Sequence, residues 1–254
     1  LHASLAPSEM CIRDRAWVGK EQLPQGYRHA LVKFAAAWED PMWLVLEYCY
    51  GEAARTLGID TAPAHLVQAG PEVGLVLDRF DRVKGEKQHV HSMAGILHTT
   101  HRIANSDWEQ VAQVLTHLQA DRTHFEQAFI RAVFNSVFCV RDDHTKNLAF
   151  LRQGNSWGLA PAFDLAYSEG PGGYHTMTYA NHSQKNVALK DLQRLAMAFG
   201  VGENQVVPLV QRMQAQRQAM LTEAKARGVP AALLKIATKR FRDIDQSLAI
   251  PKRG

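Results

Sequence analysis

The stretch FCVRDDHTKNLAF, residues 138–150, places seven consecutive polar residues between two apolar segments. The apolar residues before it recur at helical spacing, and those after it suit short strands. Polar groups at such a junction need hydrogen-bond or ionic partners, because burying them alone is costly. The stretch therefore predicts a functional loop at the point where a core helix gives way to a sheet.

The two segments that follow the loop, NLAFL and WGLAPAF, predict a β-hairpin over residues 148–163, with turn-forming residues between its strands. Asn147 directly precedes this hairpin, and Asp164 directly follows it. Because the strands of a hairpin run antiparallel, their outer ends meet. We therefore expect Asn147 and Asp164 to be neighbours, with Asp142 on the same loop as Asn147.

The order of these three residues matches the catalytic elements of protein kinases. The kinase loop H-R-D-x-x-x-x-N supplies an Asp that accepts the substrate hydroxyl proton and an Asn that binds Mg²⁺, and a second Asp beyond it binds metal. This chain keeps R-D-x-x-x-x-N at Arg141–Asn147, followed by Phe163 and Asp164. Carboxylate and amide oxygens suit Mg²⁺ better than zinc. The spacing selects Asp142 for chemistry and leaves Asp143 as a loop residue; the alternative is that these side chains only cap the helix end.

Two isolated charges nearer the N-terminus extend the pattern. Lys33 lies in the apolar segment ALVKFA of a predicted strand, residues 27–34, and Glu47 lies in WLVLEYCY of a predicted helix, residues 41–58. A strand Lys paired with a helix Glu aligns the nucleotide phosphates in kinases. The sequence also allows an edge-strand Lys and a Glu that reaches solvent.

The predicted elements indicate an α+β fold with two unlike parts. Two more strands, at 65–69 and 74–80, complete a small α/β unit, whereas the chain after residue 90 is mainly helical. Capping boxes at Ser106 with Glu109 and at Thr123 with Glu126 predict the starts of two helices. Three further helices follow residue 188, the second of them interrupted near Pro208.

Composition and charge bound the function classes. The chain has 254 residues, a formal net charge of +4 and three cysteines without metal-type spacing. No apolar run reaches the ~18 residues that a membrane helix needs. We expect a soluble cytoplasmic protein without membrane association, and the interspersed charges predict no direct nucleic-acid binding.

Several segments together resemble a known family. HALVKF, LVLDRFDR, HSMAGILH, VFNSVFCVRDDHTKNLAFL, WGLAPAFDLAYS and GPGGYHTM are similar to the HipA-type toxin kinases of bacterial toxin–antitoxin systems, over residues 17–200. The resemblance implies an atypical protein-kinase-like bilobal fold, with a small α/β lobe and a larger, mainly helical lobe. It also implies Ser/Thr kinase activity with ATP and Mg²⁺, an aminoacyl-tRNA synthetase as protein target, and an antitoxin partner that binds DNA.

The resemblance further implies a role for individual residues. Asp142 becomes the catalytic base, and Asn147 and Asp164 become the Mg²⁺ ligands. Lys33, aligned by Glu47, becomes the phosphate-binding residue. The remaining nucleotide contacts fall on an adenine hinge at Asp78, Arg79 and Phe80, and on His144, Lys146 and Phe163.

The N-terminal part departs from the family pattern. Family members carry a Gly/Ser-rich phosphate loop shortly before the strand Lys, whereas only Gly19 and Gly26 precede Lys33 here. Residues 1–15 resemble translated sequencing-adaptor text, and we expect them to be non-native. We therefore predict a chain truncated inside its nucleotide-binding lobe (16–82), followed by a helical catalytic lobe (83–254).

Three other functions remain compatible with the sequence. Small-molecule and lipid kinases use a similar order of Asp, Asn and Asp. A metallohydrolase could use His89, His91, His98 and His101, although the repeated strand–helix units of such barrel enzymes are missing. A partner-binding module with an impaired kinase site is the third. The Gly-rich segment 167–186 occupies the place of a kinase activation segment or, alternatively, is an ordinary surface loop.

Overall fold

The protein is described by a computed structural model that covers residues 15–18 (backbone only), 29–83, 86–99, 106–180 and 184–249. The predictions on residues 1–14, Gly19, Gly26 and His101 lie outside these ranges. Within them, no helix is long and apolar enough to cross a bilayer.

A four-stranded antiparallel sheet with a helix against it forms the N-terminal part. Its strand order is β1-β2-β4-β3, and its elements are β1 (Arg15–Val18), β2 (Ala30–Phe34), α1 (Met42–Thr56), β3 (Ala64–Ala69) and β4 (Glu72–Asp78). Pro41 precedes the first turn of α1, where its missing N–H costs nothing. Gly58 follows the helix at φ +85°, a conformation that glycine adopts without strain. The predicted strands and helix are therefore present, with shifts of a few residues at their ends.

A second sheet of three antiparallel strands, in the order β10-β9-β7, contains the predicted hairpin. The elements up to this hairpin are β5 (Arg82–Val83), β6 (Glu86–Lys87), β7 (Val90–Ser92), α2 (Met93–Ile96), β8 (Ser106–Asp107), α3 (Trp108–His117), α4 (Arg122–Phe138), β9 (Ala149–Gln153) and β10 (Ser156–Leu159). β7 was not predicted as a third strand. It extends the sheet because Val90 pairs with Leu151 and His91 pairs with Phe150.

The C-terminal part is helical and encloses the main core. It comprises β11 (Met177–Thr178), α5 (Leu189–Ala198), α6 (Val206–Ala226) and α7 (Ala231–Ser247), with 3₁₀ turns at Pro171–Gly173 and Glu203–Gln205. The rings of Phe134 and Phe138 stack with centroids 4.0 Å apart at the end of α4. The hydroxyl of Tyr50, on α1, donates to the carbonyl oxygen of Phe138 at 2.9 Å. One cluster of buried side chains therefore joins α1 to the C-terminal helices.

The starts of two helices and one predicted interruption differ from the sequence prediction. α3 is capped by Asp107 together with Gln110, one residue after the predicted pair of Ser106 and Glu109. α4 follows Asp121 rather than Thr123. α6 runs through Pro208 without interruption. Pro208 lies in the first turn, where a backbone N–H has no intrahelical acceptor, so the N–H that proline lacks costs no hydrogen bond.

We predict that replacing Arg217 destabilises the contact between α6, α7 and the end of α4. Its guanidinium is buried, donates to the carbonyl of Val137 at 2.7 Å, and donates twice to Asp245 at 2.7 and 2.6 Å. Arg217→Met removes the donor to the Val137 carbonyl and the charge paired with Asp245, and should lower the free energy of unfolding by about 2–3 kcal/mol. Urea denaturation measures the change. Glu223→Gln, in an exposed helical pair, should cost about 0.5 kcal/mol or less; equal losses in the two variants would contradict the prediction.

Candidate active site

The polar loop begins where α4 ends abruptly. Cys139 adopts a left-handed conformation, φ 56° and ψ 47°, which stops the helix and turns the chain. The amide of Val140 still bonds to the carbonyl of Asn135. Val140 and Leu148, at the two ends of the loop, are buried in the core. The apolar flanks therefore hold the ends of the loop, and the polar residues between them form a surface cleft.

Asp142, Asn147 and Asp164 line this one cleft, as the hairpin predicted. The side-chain amide of Asn147 donates to the backbone carbonyl of Asp142 at 3.0 Å, and its backbone amide donates to the carbonyl of His144 at 2.8 Å. The Asn147 side chain is thereby fixed with its Oδ1 left for another ligand. The Asp142 carboxylate is 38 % exposed and accessible from the cleft.

Lys33 brings the first sheet into the same site. Its ammonium donates to Oε1 of Glu47 at 2.5 Å and also contacts Oδ1 of Asp164. Burial alone would lower the pKa of Lys33, but the carboxylates of Glu47 and Asp164 outweigh it, so the pKa lies above its ordinary value. Lys33 is therefore a buried cation that links β2, α1 and the residue after the hairpin.

Asp164 occupies a backbone conformation that non-glycine residues rarely adopt, with φ at 59°. Such conformations persist only where the surroundings impose them, and they are frequent at functional sites. The preceding ring, Phe163, stacks on Phe80 with centroids 5.8 Å apart. This stack joins the end of β4 to the end of the hairpin and places both aromatic rings beside Asp164.

The other predicted nucleotide contacts differ in whether they lie at the cleft. The amides of Asp78 and Arg79 already donate to the carbonyls of Pro63 and His29, and the Arg79 side chain pairs with Asp81. His144 lines the cleft, with its Nε2 3.8 Å from Oδ1 of Asp142. Lys146 is exposed and does not line the cleft. The structure therefore brings Phe163 and His144 into the cleft, stacks Phe80 on Phe163, and leaves Lys146 at the surface.

Sequence reasoning missed the part played by Asp143. This residue is not a solvent-facing loop residue: it is buried and accepts hydrogen bonds from Nδ1 of His175 at 2.9 Å, from the amide of Thr176 at 2.8 Å and from the amide of Met177 at 3.3 Å. Its partners lie more than thirty residues away in sequence. The sequence signal was present only as two adjacent aspartates, which do not reveal which one is buried.

Arg141 makes a second set of contacts with the same distant segment. It is buried, and its guanidinium donates to the carbonyls of Gly173 at 2.8 Å and Lys185 at 2.7 Å. Its backbone amide donates to the carbonyl of Ser168. The Gly-rich region after the hairpin is therefore bonded to the polar loop at several points and is not an unattached surface loop.

The chain matches one family of known proteins. The family model of the HipA-like C-terminal domain covers residues 10–221. The chain belongs to this family. Among curated protein sequences, none matches the chain.

Solved structures that share the fold of this HipA-like chain include two from toxin and kinase systems. One is HipA of the Shewanella oneidensis MR-1 toxin–antitoxin system, solved with HipB and its operator DNA, at 15 % identity and a TM-score of 0.71, covering 91 % of this chain and 63 % of that one. The other is the Helicobacter pylori proinflammatory kinase CtkA, at 13 % identity and a TM-score of 0.54, covering 90 % of this chain and 92 % of that one. The predicted α+β, kinase-like fold is confirmed, and the chain spans less than two thirds of the Shewanella protein.

The histidine-rich segment has contacts of its own. His89 packs edge-on against Trp157, and its centroid lies 6.4 Å from that of His91. Within the described part of the chain, no group of three or more His, Cys, Asp and Glu side chains could hold a metal ion. The geometry thus gives the metallohydrolase hypothesis no support among these residues.

Substitution of two glycines in the HipA-like chain measures how tightly the region after the hairpin is packed. Gly170 and Gly173 both have positive φ, 69° and 82°, so alanine should cost about 1–2 kcal/mol at either position. A Cβ at Gly170 would also overlap the carbonyl oxygen of Tyr174 and lie 2.8 Å from Cβ of Arg141, whereas a Cβ at Gly173 meets nothing within 4 Å. We predict that Gly170→Ala lowers the unfolding free energy more than Gly173→Ala in urea denaturation. Equal losses would indicate that the contact with Arg141 is loose.

Proposed function

We propose that this chain carries the phosphotransfer site of a HipA-type Ser/Thr protein kinase, which transfers the γ-phosphate of ATP to a hydroxyl group of a protein. The observation that supports it most is the buried Lys33, in contact with both Glu47 and Asp164. A strand lysine held by a helix glutamate, together with a nearby aspartate later in the chain, is the arrangement that protein kinases use for phosphoryl transfer. Asp142 and Asn147 complete the set in the same cleft.

Lys33 would bind the phosphates of ATP. Its raised pKa keeps it protonated at neutral pH, so it presents a fixed positive charge to the phosphate oxygens. Glu47 is buried beside it and restricts the orientation of the ammonium group. Phosphoryl transfer depends mainly on positioning and electrostatic stabilisation, which a preorganised cation of this kind supplies.

Asn147 and Asp164 would hold Mg²⁺, and their donor set fits this ion. One amide oxygen and one carboxylate are hard ligands of the type that Mg²⁺ accepts together with substrate phosphates and water. Asn147 already uses its Nδ2 toward Asp142, which leaves its oxygen for a cation. The ion would supply neutralisation of phosphate charge.

Asp142 would accept the proton of the substrate hydroxyl. Its carboxylate is the most exposed of the acidic groups in the cleft, with 38 % of its side-chain surface accessible against 15 % for Asp164. A general base must reach the proton that it removes, so accessibility favours Asp142 for this role. Phe80 and Phe163 would provide apolar surface for the adenine ring beside β4.

The partners that we propose follow from the family and from the Shewanella structure. That HipA was solved with HipB and its operator DNA. By analogy, a DNA-binding antitoxin is the proposed partner of this protein, and an aminoacyl-tRNA synthetase in the cytoplasm is the proposed target class. These assignments rest on the likeness and not on the site geometry.

We predict that Asp142→Asn removes phosphotransfer while the protein keeps its fold and its affinity for Mg²⁺–ATP. Loss of a general base lowers such rates by about 10²–10⁴-fold. The measurement is transfer of label from γ-labelled ATP to proteins of a soluble extract, with nucleotide binding followed by calorimetry. Label transferred only to small molecules in the wild-type reaction would contradict the protein-kinase proposal, and full activity of the variant would contradict the assignment of the base.

We expect Asp164→Asn to act on binding instead. Removing one carboxylate from the Mg²⁺ site should weaken ATP binding in the presence of Mg²⁺ more than binding in its absence, where only the contact of Asp164 with Lys33 is altered. Calorimetry with and without EDTA separates the two. A Mg²⁺-dependent affinity equal to that of the wild type would show that Asp164 does not hold the metal.

A further inference from the structure

The residues on both sides of Asp142 contact one distant segment. In the post-hairpin segment, residues 167–180, the carbonyl of Gly173 accepts a hydrogen bond from Arg141. His175, Thr176 and Met177 of the same segment donate to the Asp143 carboxylate. The backbone carbonyl of Arg141 also accepts from the amide and the hydroxyl of Thr176, both at 3.1 Å. The catalytic candidate thus lies between two attachments to the same segment.

Burial alternates along the loop. Arg141, Asp143 and Thr145 are buried, whereas Asp142 and His144 are only partly buried. Successive side chains thus face opposite sides of the chain up to the turn at residues 144–147. The buried side chains anchor the loop to the protein, and those of Asp142 and His144 are accessible from the cleft.

Asp143 carries most of the anchoring on the inner side. Its side chain is 1 % exposed and that of His175 is 2 % exposed, so solvent cannot replace either partner. One carboxylate oxygen accepts from two backbone amides, and the other accepts from His175 and lies 3.4 Å from the hydroxyl of Tyr179. A buried carboxylate with several donors is held rigidly, because each donor would otherwise lose its partner.

We propose that Asp143 is a positioning residue for the phosphotransfer site: through His175, Thr176 and Met177 it fixes the post-hairpin segment to the loop that carries Asp142. The proposal rests on the proposed function, since it concerns the same site. A protein substrate that docks on this segment would then present its hydroxyl at a set distance from the Asp142 carboxylate. Asp143 itself is too buried to touch the substrate.

Hydrogen exchange tests the coupling without any assay of activity. His175→Phe removes one donor to Asp143 from the segment side, and we expect amide exchange in residues 141–147 to rise several-fold along with exchange in residues 174–179. His175→Asn should restore slow exchange, because its side-chain nitrogen can take the place of the imidazole Nδ1. Arg212→Met, which removes the hydrogen bond from α6 to the carbonyl of Leu57, a bond that involves neither the loop nor the segment, is the control for general destabilisation. Unchanged exchange in residues 141–147 of His175→Phe would overturn the proposal.

Kinetics test the consequence for catalysis. Asp143→Ala should lower kcat per folded molecule by about tenfold or more, as a displacement on the order of an ångström does, with little change in the KM for ATP. Arg212→Met should leave kcat per folded molecule unchanged. An unchanged kcat in Asp143→Ala would overturn the positioning role. If the wild-type chain transfers no phosphate, the proposed function fails instead, while the exchange experiment still decides whether the loop and the segment are coupled.

Discussion

The contact of Lys33 with two carboxylates is the constraint on which the rest of the site depends. A buried ammonium without partners would be strongly destabilising. Because Glu47 belongs to α1 and Asp164 follows the hairpin, the three charges satisfy one another only when the first sheet, α1 and the hairpin stand together. The ion cluster therefore couples the geometry of the candidate site to the packing of these elements.

A second constraint, made by aromatic packing and one hydrogen bond, supports the first. α1 is joined to α4 through the Tyr50 hydroxyl and the stacked rings of Phe134 and Phe138, at the turn before the polar loop. The same α1 carries Glu47, so the helix that orients Lys33 is also fixed to the end of the helix that leads to Asp142. Packing and electrostatics thus act on one element, and a displacement of α1 would disturb both sides of the cleft.

The sequence predicted those features whose signal is local or whose partners stand out. α1, α4 and the hairpin follow from periodicity and turn residues. The isolated charges of Lys33 and Glu47 allow either a pair or two separate solvent-facing groups, and the structure contains the pair. Asp143 could not be predicted, because its partners at residues 175–177 are brought to it only by the tertiary fold. The predicted interruption at Pro208 is wrong for the opposite reason. Proline breaks the interior of a helix because it lacks an N–H, but in the first turn of α6 the missing N–H costs no hydrogen bond. The boundary between residues 82 and 83 and the roles of the site residues stay predictions.

The two adjacent aspartates show how one loop can serve stability and chemistry at once. A carboxylate that is fully hydrogen-bonded and buried, like Asp143, holds the backbone but is inaccessible to a substrate. A carboxylate that faces the cleft, like Asp142, is accessible but contributes less to holding the loop. Since neighbouring side chains of an extended segment face opposite sides, consecutive positions suffice to separate the two tasks. In the proposed site, the position of Asp142 is then set through the backbone by its buried neighbour Asp143.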